Sequence, residues 1–259
     1  MNQLMTASVS IVIPAKNEAR NLPYVLSRIP DWVEEVILVD GNSTDDTVEV
    51  ARSLWPDIRI VGQDRKGKGA ALRSGFAACQ GDIVVMIDAD GSMDPAEIPA
   101  YVGALMAGAD FVKGSRFMQG GKTDDMEWYR RFGNWCFVKL VTLRFGGRFS
   151  DLCYGYIGFW RKALTRLSLE KDDGLEIETS MNVQALCSGL VVHEVPSIEA
   201  PRIHGVSNLR TIPDGWRVLR TIIRLGLQRT AGTAGRGLRG DRAGKDLPQV
   251  DNHAHQTAN

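Results

Sequence analysis

The sequence is short of the features that classify many chains at once. It has four cysteines in 259 residues, and Cys79, Cys136, Cys153 and Cys187 form no C-x-x-C pair. That scatter excludes a disulfide framework or a thiolate metal knot and suits reduced thiols in a cytoplasmic protein. No run approaches the roughly 20 apolar residues of a membrane-spanning helix. The first residues lead almost directly into a strand-like run, so no leader peptide is expected. Net charge is zero, which gives no reason to expect a nucleic-acid partner. Internal repeats are absent. The first strand-like segment lacks a following G-x-G-x-x-G, and Pro14 stands where glycine would be needed. This argues against a nicotinamide-dependent oxidoreductase.

What is present is ordinary globular material, 44% hydrophobic and 24% charged, enough for one large domain with a small appendage. The balanced charge is unevenly placed. Residues 1–112 carry 9 Lys/Arg against 16 Asp/Glu, and residues 113–259 carry 22 against 15. A basic second half suits phosphates or an anionic membrane surface.

Strand-like and helical segments alternate in the first half. Strands are expected over 9–13, 35–39, 58–61, 83–87 and 110–112. Helices are expected near 18–28, 45–54, 69–79 and 95–106. The last is marked by a capping acid, Pro at the first helical position and Glu three residues on, in Asp94-Pro95-Ala96-Glu97. Such alternation predicts an α/β fold with a mostly parallel central sheet flanked by helices. Beyond Lys113 the pattern loosens. Residues 126–145 read as one or two amphipathic helices, 176–188 as a helix, 191–195 as a late strand and 214–229 as a last helix. Residues 230–259, with His253 and His255, are polar and Gly-rich and are expected to be a disordered tail.

The chemistry gathers in loops that follow strands. Ile83–Ile87 is apolar and β-branched, and it runs into Asp88-Ala89-Asp90. Two carboxylates one residue apart at the carboxyl edge of a sheet suit a hard divalent cation shared with phosphates. The first strand ends in Pro14-Ala15-Lys16-Asn17-Glu18, and the second in Asp40-Gly41-Asn42-Ser43-Thr44-Asp45-Asp46. An acid such as Asp40 can hold a base or ribose through charge-assisted hydrogen bonds, while Ser43 and Asp46 suit a helix cap. Arg65-Lys66-Gly67-Lys68-Gly69 brings cations and backbone N–H groups to a helix start, as phosphate loops do. It lacks the full P-loop spacing.

In this order, Ile-Pro-Ala-Lys-Asn-Glu, Val-Asp-Gly-Asn-Ser-Thr-Asp-Asp-Thr, Gly-Lys-Gly-Ala-Ala-Leu-Arg-Ser-Gly and Asp-Ala-Asp-Gly, the chain resembles family 2 glycosyltransferases of the GT-A (Rossmann-like) fold. Within them it is most similar to polyprenyl-phosphate sugar transferases of the dolichol-phosphate mannosyl- or glucosyltransferase type. Further matches are Gly114-Ser115-Arg116-Phe117, Asp151-Leu152-Cys153-Tyr154-Gly155-Tyr156 and Gly205-Val206-Ser207-Asn208-Leu209-Arg210, so the resemblance spans about residues 8–228. It implies a nucleotide-binding half over 1–115 and an acceptor-binding half over 116–229. Pro14, Lys16, Glu18, Asp40 and Ala89 would line the nucleotide-sugar pocket, with Lys68 beside it. Asp88 and Asp90 would hold Mg²⁺ or Mn²⁺ on the pyrophosphate, Asp90 counting also as catalytic. Arg116, Arg130 or Arg131, and Arg210 would meet the acceptor. Two departures stand out. Ser92 replaces the glutamine usual two residues after the second aspartate, and Asn208 replaces a lysine.

The resemblance implies transfer of a sugar from a nucleotide diphosphate, GDP-mannose or UDP-glucose in type, with inversion at the anomeric carbon. A polyprenyl phosphate attacks with an oxygen already anionic. A glycan or small-molecule hydroxyl would need a proton acceptor, for which Asp151, Glu176 and Glu178 are the candidates. A silent nucleotide-sugar-binding module is a third reading, disfavoured because both aspartates are intact. In residues 216–225, Trp216, Leu219 and Ile223 form an apolar stripe beside regularly spaced arginines. Such a helix suits a lipid headgroup layer, as would an otherwise cytoplasmic protein held peripherally on the inner face of the cell membrane.

Overall fold

The computed structural model describes residues 7–124, 126–206 and 209–240. Its first half holds β1 (Val9–Ala15), α1 (Leu22–Leu26), β2 (Glu35–Asp40), α2 (Thr47–Leu54), β3 (Arg59–Gly62), α3 (Lys68–Ala78), β4 (Ile83–Met86), α4 (Ile98–Met106) and β5 (Phe111–Ser115). The second half adds β6 (Lys122–Thr123), α5 (Trp128–Phe145), β7 (Ile157–Trp160), α6 (Glu176–Cys187), β8 (Val192–Pro196), β9 (Ile198–Glu199) and α7 (Thr211–Gly240). The main sheet has seven strands in the order β3-β2-β1-β4-β7-β5-β8. All its pairs are parallel except those of β7 with β4 and β5.

Both faces of this sheet are covered, which is why its strands are apolar without alternation. Ile11, Ile13, Leu38 and Val85 pack on one side with α1 and α4 residues such as Leu22 and Tyr101. Val12, Ile37, Val39 and Val84 pack on the other with Leu72 of α3 and Ile177 of α6. Helix α3 lies very close to the sheet. A Cβ on Gly75 would stand 2.5 Å from Val12 Cγ1 and 2.8 Å from Val39 Cγ2, so larger residues there would push the helix outward. A third cluster joins Val138, Val141 and Phe145 of α5 to Val183 of α6 and to Val218, Ile222 and Leu225 of α7.

Several boundaries differ from expectation. The helix expected over 18–28 shrinks to Leu22–Leu26 because Asn17 takes a left-handed conformation, φ 57°. Its amide bonds Ser43 Oγ at 2.9 Å, and its Oδ1 accepts from the Thr44 amide at 2.8 Å. The capping acid Asp94 does accept from the Ala96 amide at 2.9 Å. Glu97, however, bonds the Ile198 amide at 2.9 Å and the Ser197 hydroxyl instead of closing a capping box. Strand β7 was not foreseen, since four residues with Gly158 among them carry no periodic signal. Composition predicts disorder from Thr230, yet the backbone of α7 stays helical to Gly240, where extension of an existing helix needs no new nucleus. Residues 241–259, with both tail histidines, and the motif residues Ser207 and Asn208 lie outside the described residues.

Candidate active site

Neighbouring strands β2, β1 and β4 deliver their loops to one carboxyl edge, where an α/β sheet binds its ligands. A cleft of about 530 Å³ opens there. From the first half it is lined by Pro14, Lys16, Glu18, Lys68, Asp88, Ala89 and Asp90, all expected. From the second half come Arg116, Arg130, Glu178 and Arg210, also expected, together with Glu199, Arg202 and Arg217. The starts of α3, α5, α6 and α7 therefore converge on the carboxylates at the end of β4.

The paired acids are held by different partners. Asp88 Oδ1 lies 2.5 Å from Lys68 Nζ, and Lys68 Nζ lies 2.6 Å from Glu178 Oε1. Burial pushes the Asp88 carboxyl up, and the charges of Asp90 and Glu178 add to this against the pull of Lys68, leaving it at about 6. Burial alone would lower the Lys68 ammonium, but the two acids outweigh it and raise it. Asp90 Oδ1 accepts from the Ser92 amide at 3.0 Å and the Ser92 hydroxyl at 2.7 Å. The residue that departs from the family pattern thus orients the second aspartate. Arg202 reaches Asp90 Oδ2 at 3.2 Å and pairs with Glu18, whose other oxygen accepts from Asn21 Nδ2 at 2.6 Å.

These carboxylates fit a hard cation that prefers oxygen ligands. Among the described residues Asp88 Oδ2 has no hydrogen-bond partner, and Asp90 is pre-oriented by Ser92. No group of three metal-type side chains is preformed among the described residues, so a donor's phosphates would have to complete the shell.

Five expected residues are placed differently. Asp40 does not line the cleft, and its two oxygens accept from the Ser43 amide at 3.1 and 3.3 Å; Gly41 and Gln63 beside it do line the cleft. Asp151, a candidate proton acceptor, is fully buried. Its oxygens take Arg116 Nε at 2.7 Å and Nη2 at 3.0 Å. Burial pushes its carboxyl up, but Lys113 and Arg116 together hold it below the usual range. It is a buried counter-ion rather than a base facing an acceptor. Arg116 is only 3% exposed, and its remaining donor Nη1 spans both Glu199 oxygens at 3.0 and 3.1 Å. A guanidinium so committed is a strut at the cleft wall, not an open phosphate ligand. Of the Arg130–Arg131 pair, Arg130 lines the cleft, while Arg131 stacks 5.4 Å from the Phe117 ring centre and does not. Glu176 also stays off the cleft; its Oε1 accepts from the Gly174 amide at 2.9 Å.

Sequence reasoning missed Arg202. It sits in an irregular connection between β9 and α7, 112 residues from its partner Asp90, and nothing in the local spacing marks it.

The glycine loop before α3 is legible in hindsight. Gly67 has φ +118°, and a Cβ there would stand 2.0 Å from Asp173 O; on Gly69 it would stand 2.1 Å from Asp172 O. The loop is thus clamped against the segment before α6, which sets Lys68 beside Glu178.

Comparison with known proteins turns this geometry into an assignment. The profile described as "Glycosyl transferase family 2" matches residues 10–168. The chain belongs to this family. It is 33% identical over 221 residues to an uncharacterized glycosyltransferase of Mycobacterium tuberculosis, covering 82% of this chain and 98% of the relative. It is 31% identical to the polyprenol monophosphomannose synthase of Mycolicibacterium smegmatis, over 79% of this chain and 82% of that one. Among solved structures, glucosyl-3-phosphoglycerate synthase of Mycobacterium tuberculosis, in complex with Mn²⁺, UDP-glucose and phosphoglyceric acid, superimposes with a TM-score of 0.71 at 25% identity. That match covers 86% of this chain and 80% of the other. This family 2 glycosyltransferase therefore has the GT-A fold expected from its motifs, and its cleft occupies the carboxyl edge of the sheet.

Proposed function

We propose that this glycosyltransferase moves a sugar from a nucleotide diphosphate to a polyprenyl phosphate, with inversion, at the inner face of a membrane. The observation that carries the reading is the make-up of one cleft. Paired carboxylates at the end of β4 share it with Arg130, Arg210 and Arg217 from the starts of α5 and α7. Acids suit the donor end, where Asp88 and Asp90 would hold Mg²⁺ or Mn²⁺, which supplies charge neutralisation to the departing diphosphate. Lys68 and Arg202, already on those acids, add fixed positive charge near the leaving group. Gly41 and Gln63 offer polar contacts to the nucleobase side. At the other end the arginines orient an acceptor phosphate. Its oxygen is anionic before attack, so no residue need remove a proton.

The similarity to the polyprenol monophosphomannose synthase supports this acceptor. No helix among the described residues is long and apolar enough to cross a membrane, so membrane contact would be peripheral. A second reading, transfer to a hydroxyl, is supported by one feature: of the candidate proton acceptors Asp151, Glu176 and Glu178, Glu178 lines the cleft. The fold neighbour bound to phosphoglyceric acid makes a small anionic hydroxyl acceptor its natural form.

Incubation of the purified chain with labelled GDP- and UDP-sugars, Mn²⁺ and farnesyl phosphate separates the two. Label extracted into organic solvent is expected. Label confined to phosphoglycerate or a soluble glycan would replace the first reading by the second.

A further inference from the structure

The cleft and the seam between α5 and α7 share one end. Along that seam Phe137 Cζ lies 4.0 Å from where a Gly215 Cβ would stand. Farther on, Arg144 Nη2 donates to Gly226 O at 2.6 Å and Arg229 Nη1 to Phe145 O at 3.0 Å. The partners advance in the same sense on both helices, so α5 and α7 run side by side and parallel. Their N-terminal ends bring Arg130, Arg210 and Arg217 to the cleft. Farther from it, Leu140 and Arg144 of α5 and Ile222, Ile223, Gly226 and Leu227 of α7 enclose an apolar groove of about 170 Å³.

A row of side chains runs along α7 on the outer side of this seam, and two of its members, Ile223 and Leu227, line the groove. Ile212, Trp216, Leu219, Ile223 and Leu227 recur every three or four residues and so share one face of α7. Ile212 is 84% exposed, Trp216 61%, Ile223 51% and Leu227 67%. At 1.5 Å per residue the row is about 22 Å long. Exposed apolar side chains in such a continuous row call for an occupant.

We propose that the α5–α7 groove is a subsite for the first isoprene units of a prenyl-phosphate acceptor, and that the row on α7 leads the chain away from the cleft. This rests on the polyprenyl-phosphate reading above. The occupant follows from complementarity. Arginines stand at the cleft end of the seam and an apolar groove lies farther along it, which matches an amphiphile with an anionic head and a hydrocarbon tail. Helix N-termini at the head end favour the anion further. The groove is smaller than a pocket for a whole drug-sized ligand and suits a segment of chain. The protein's own last residues are a poor alternative, since 241–259 contain only Leu247 and Val250 as large aliphatic side chains.

Equilibrium binding of tritiated farnesyl phosphate, isopentenyl phosphate and inorganic phosphate to the full chain tests this. The variant I223S/L227S changes two exposed positions, and its urea midpoint serves as the folding control. Wild type is expected to prefer farnesyl over isopentenyl phosphate. The double variant should bind farnesyl phosphate about tenfold more weakly, lose that preference, and keep its affinity for inorganic phosphate. G226L, which fills the groove instead of stripping its wall, should act the same way. Unchanged farnesyl-phosphate affinity in both variants overturns the subsite while leaving the acceptor reading intact. Failure of wild type to bind farnesyl phosphate or to glycosylate it overturns the acceptor reading itself. Two further outcomes overturn the subsite by naming another occupant. One is loss of flotation with phosphatidylglycerol vesicles at unchanged farnesyl-phosphate affinity, which assigns the row to a bilayer. The other is loss of a dimer by light scattering, which assigns it to a second copy.

Discussion

The two halves of the cleft hold their charges in opposite ways. Around β2 and β4 the acids have local tethers, Asp40 the Ser43 amide, Asp90 the amide and hydroxyl of Ser92, Asp94 the Ala96 amide. On Asp90 and Asp94 the second oxygen meets a more distant cation, Arg202 and Arg28. Each local bond spans two or three residues and leaves the acid only partly enclosed. Around β5 the charges are fixed at long range and buried. Arg116 takes Asp151, 35 residues away, and Glu199, 83 residues away. A locally tethered acid keeps capacity for a ligand, whereas a buried ion pair spends its capacity on the frame. Breaking such a pair strands a charge in a poor solvent. Lys68 is the link between the regimes, with Asp88 of the first on one side and Glu178 of the second on the other.

The contrast predicts that one aspartate can be removed at the expense of turnover and another at the expense of folding. Asp90→Ala should lower sugar transfer about a thousandfold or more, measured with saturating donor and Mn²⁺. The urea midpoint should barely move, because Asp90 is partly exposed and tied only to Ser92 and Arg202. Substantial residual transfer would remove Asp90 from the chemistry.

Asp151→Asn should do the reverse, costing about 3–5 kcal/mol of stability because it leaves Arg116 charged and half-paired in the interior. Its pH dependence has a definite sign. The Asp151 carboxyl is held below its usual value, so its contribution is complete above the unfolded pKa of about 3.9 and is lost as pH falls through the lower folded value. The stability gap between wild type and variant should therefore be constant near pH 6–7 and narrow in acid. A variant that folds normally yet has lost transfer would restore Asp151 to the role of proton acceptor and erase the distinction between the halves.

The same difference explains what the sequence made legible. Asp88-Ala89-Asp90 and the Lys68 loop are contiguous segments that follow strands, so element type and a place at the cleft could be read together; Asp40 could not, because its oxygens turn back on the Ser43 amide. Arg116 and Asp151 were visible as motif residues, but nothing local reveals that they satisfy each other. That pairing needs β5 and β7 side by side, and β7 itself carries no signal. Arg202 is harder still, since its partners Glu18 and Asp90 come from two other loops and only the closed sheet edge brings the three together. Loops that follow strong strands were legible as cleft wall; which partner each charged side chain meets there was not.

The smallest effect concerns two adjacent arginines. Helix geometry separates Arg130 and Arg131 by about 100° around α5, and only Arg130 lines the cleft. Arg131 lies over the Phe117 ring, a contact worth roughly 0.5–1 kcal/mol at an exposed site. Arg130→Ala should raise the KM for farnesyl phosphate about tenfold, as loss of one charge-assisted contact would. The KM for the nucleotide sugar should stay within a factor of about two, because the proposed function puts the donor at the β4 end of the cleft. The Arg130 effect should also shrink as salt rises from 0.05 to 0.5 M, because screening weakens the wild-type cation's pull on the phosphate and so narrows its lead over the variant. Arg131→Ala should leave both constants unchanged and lower the urea midpoint slightly. Equal kinetic effects from the two would mean that α5 acts by its net charge, as a basic surface near an anionic membrane. In that case the second half would recognise its acceptor by field rather than by contact.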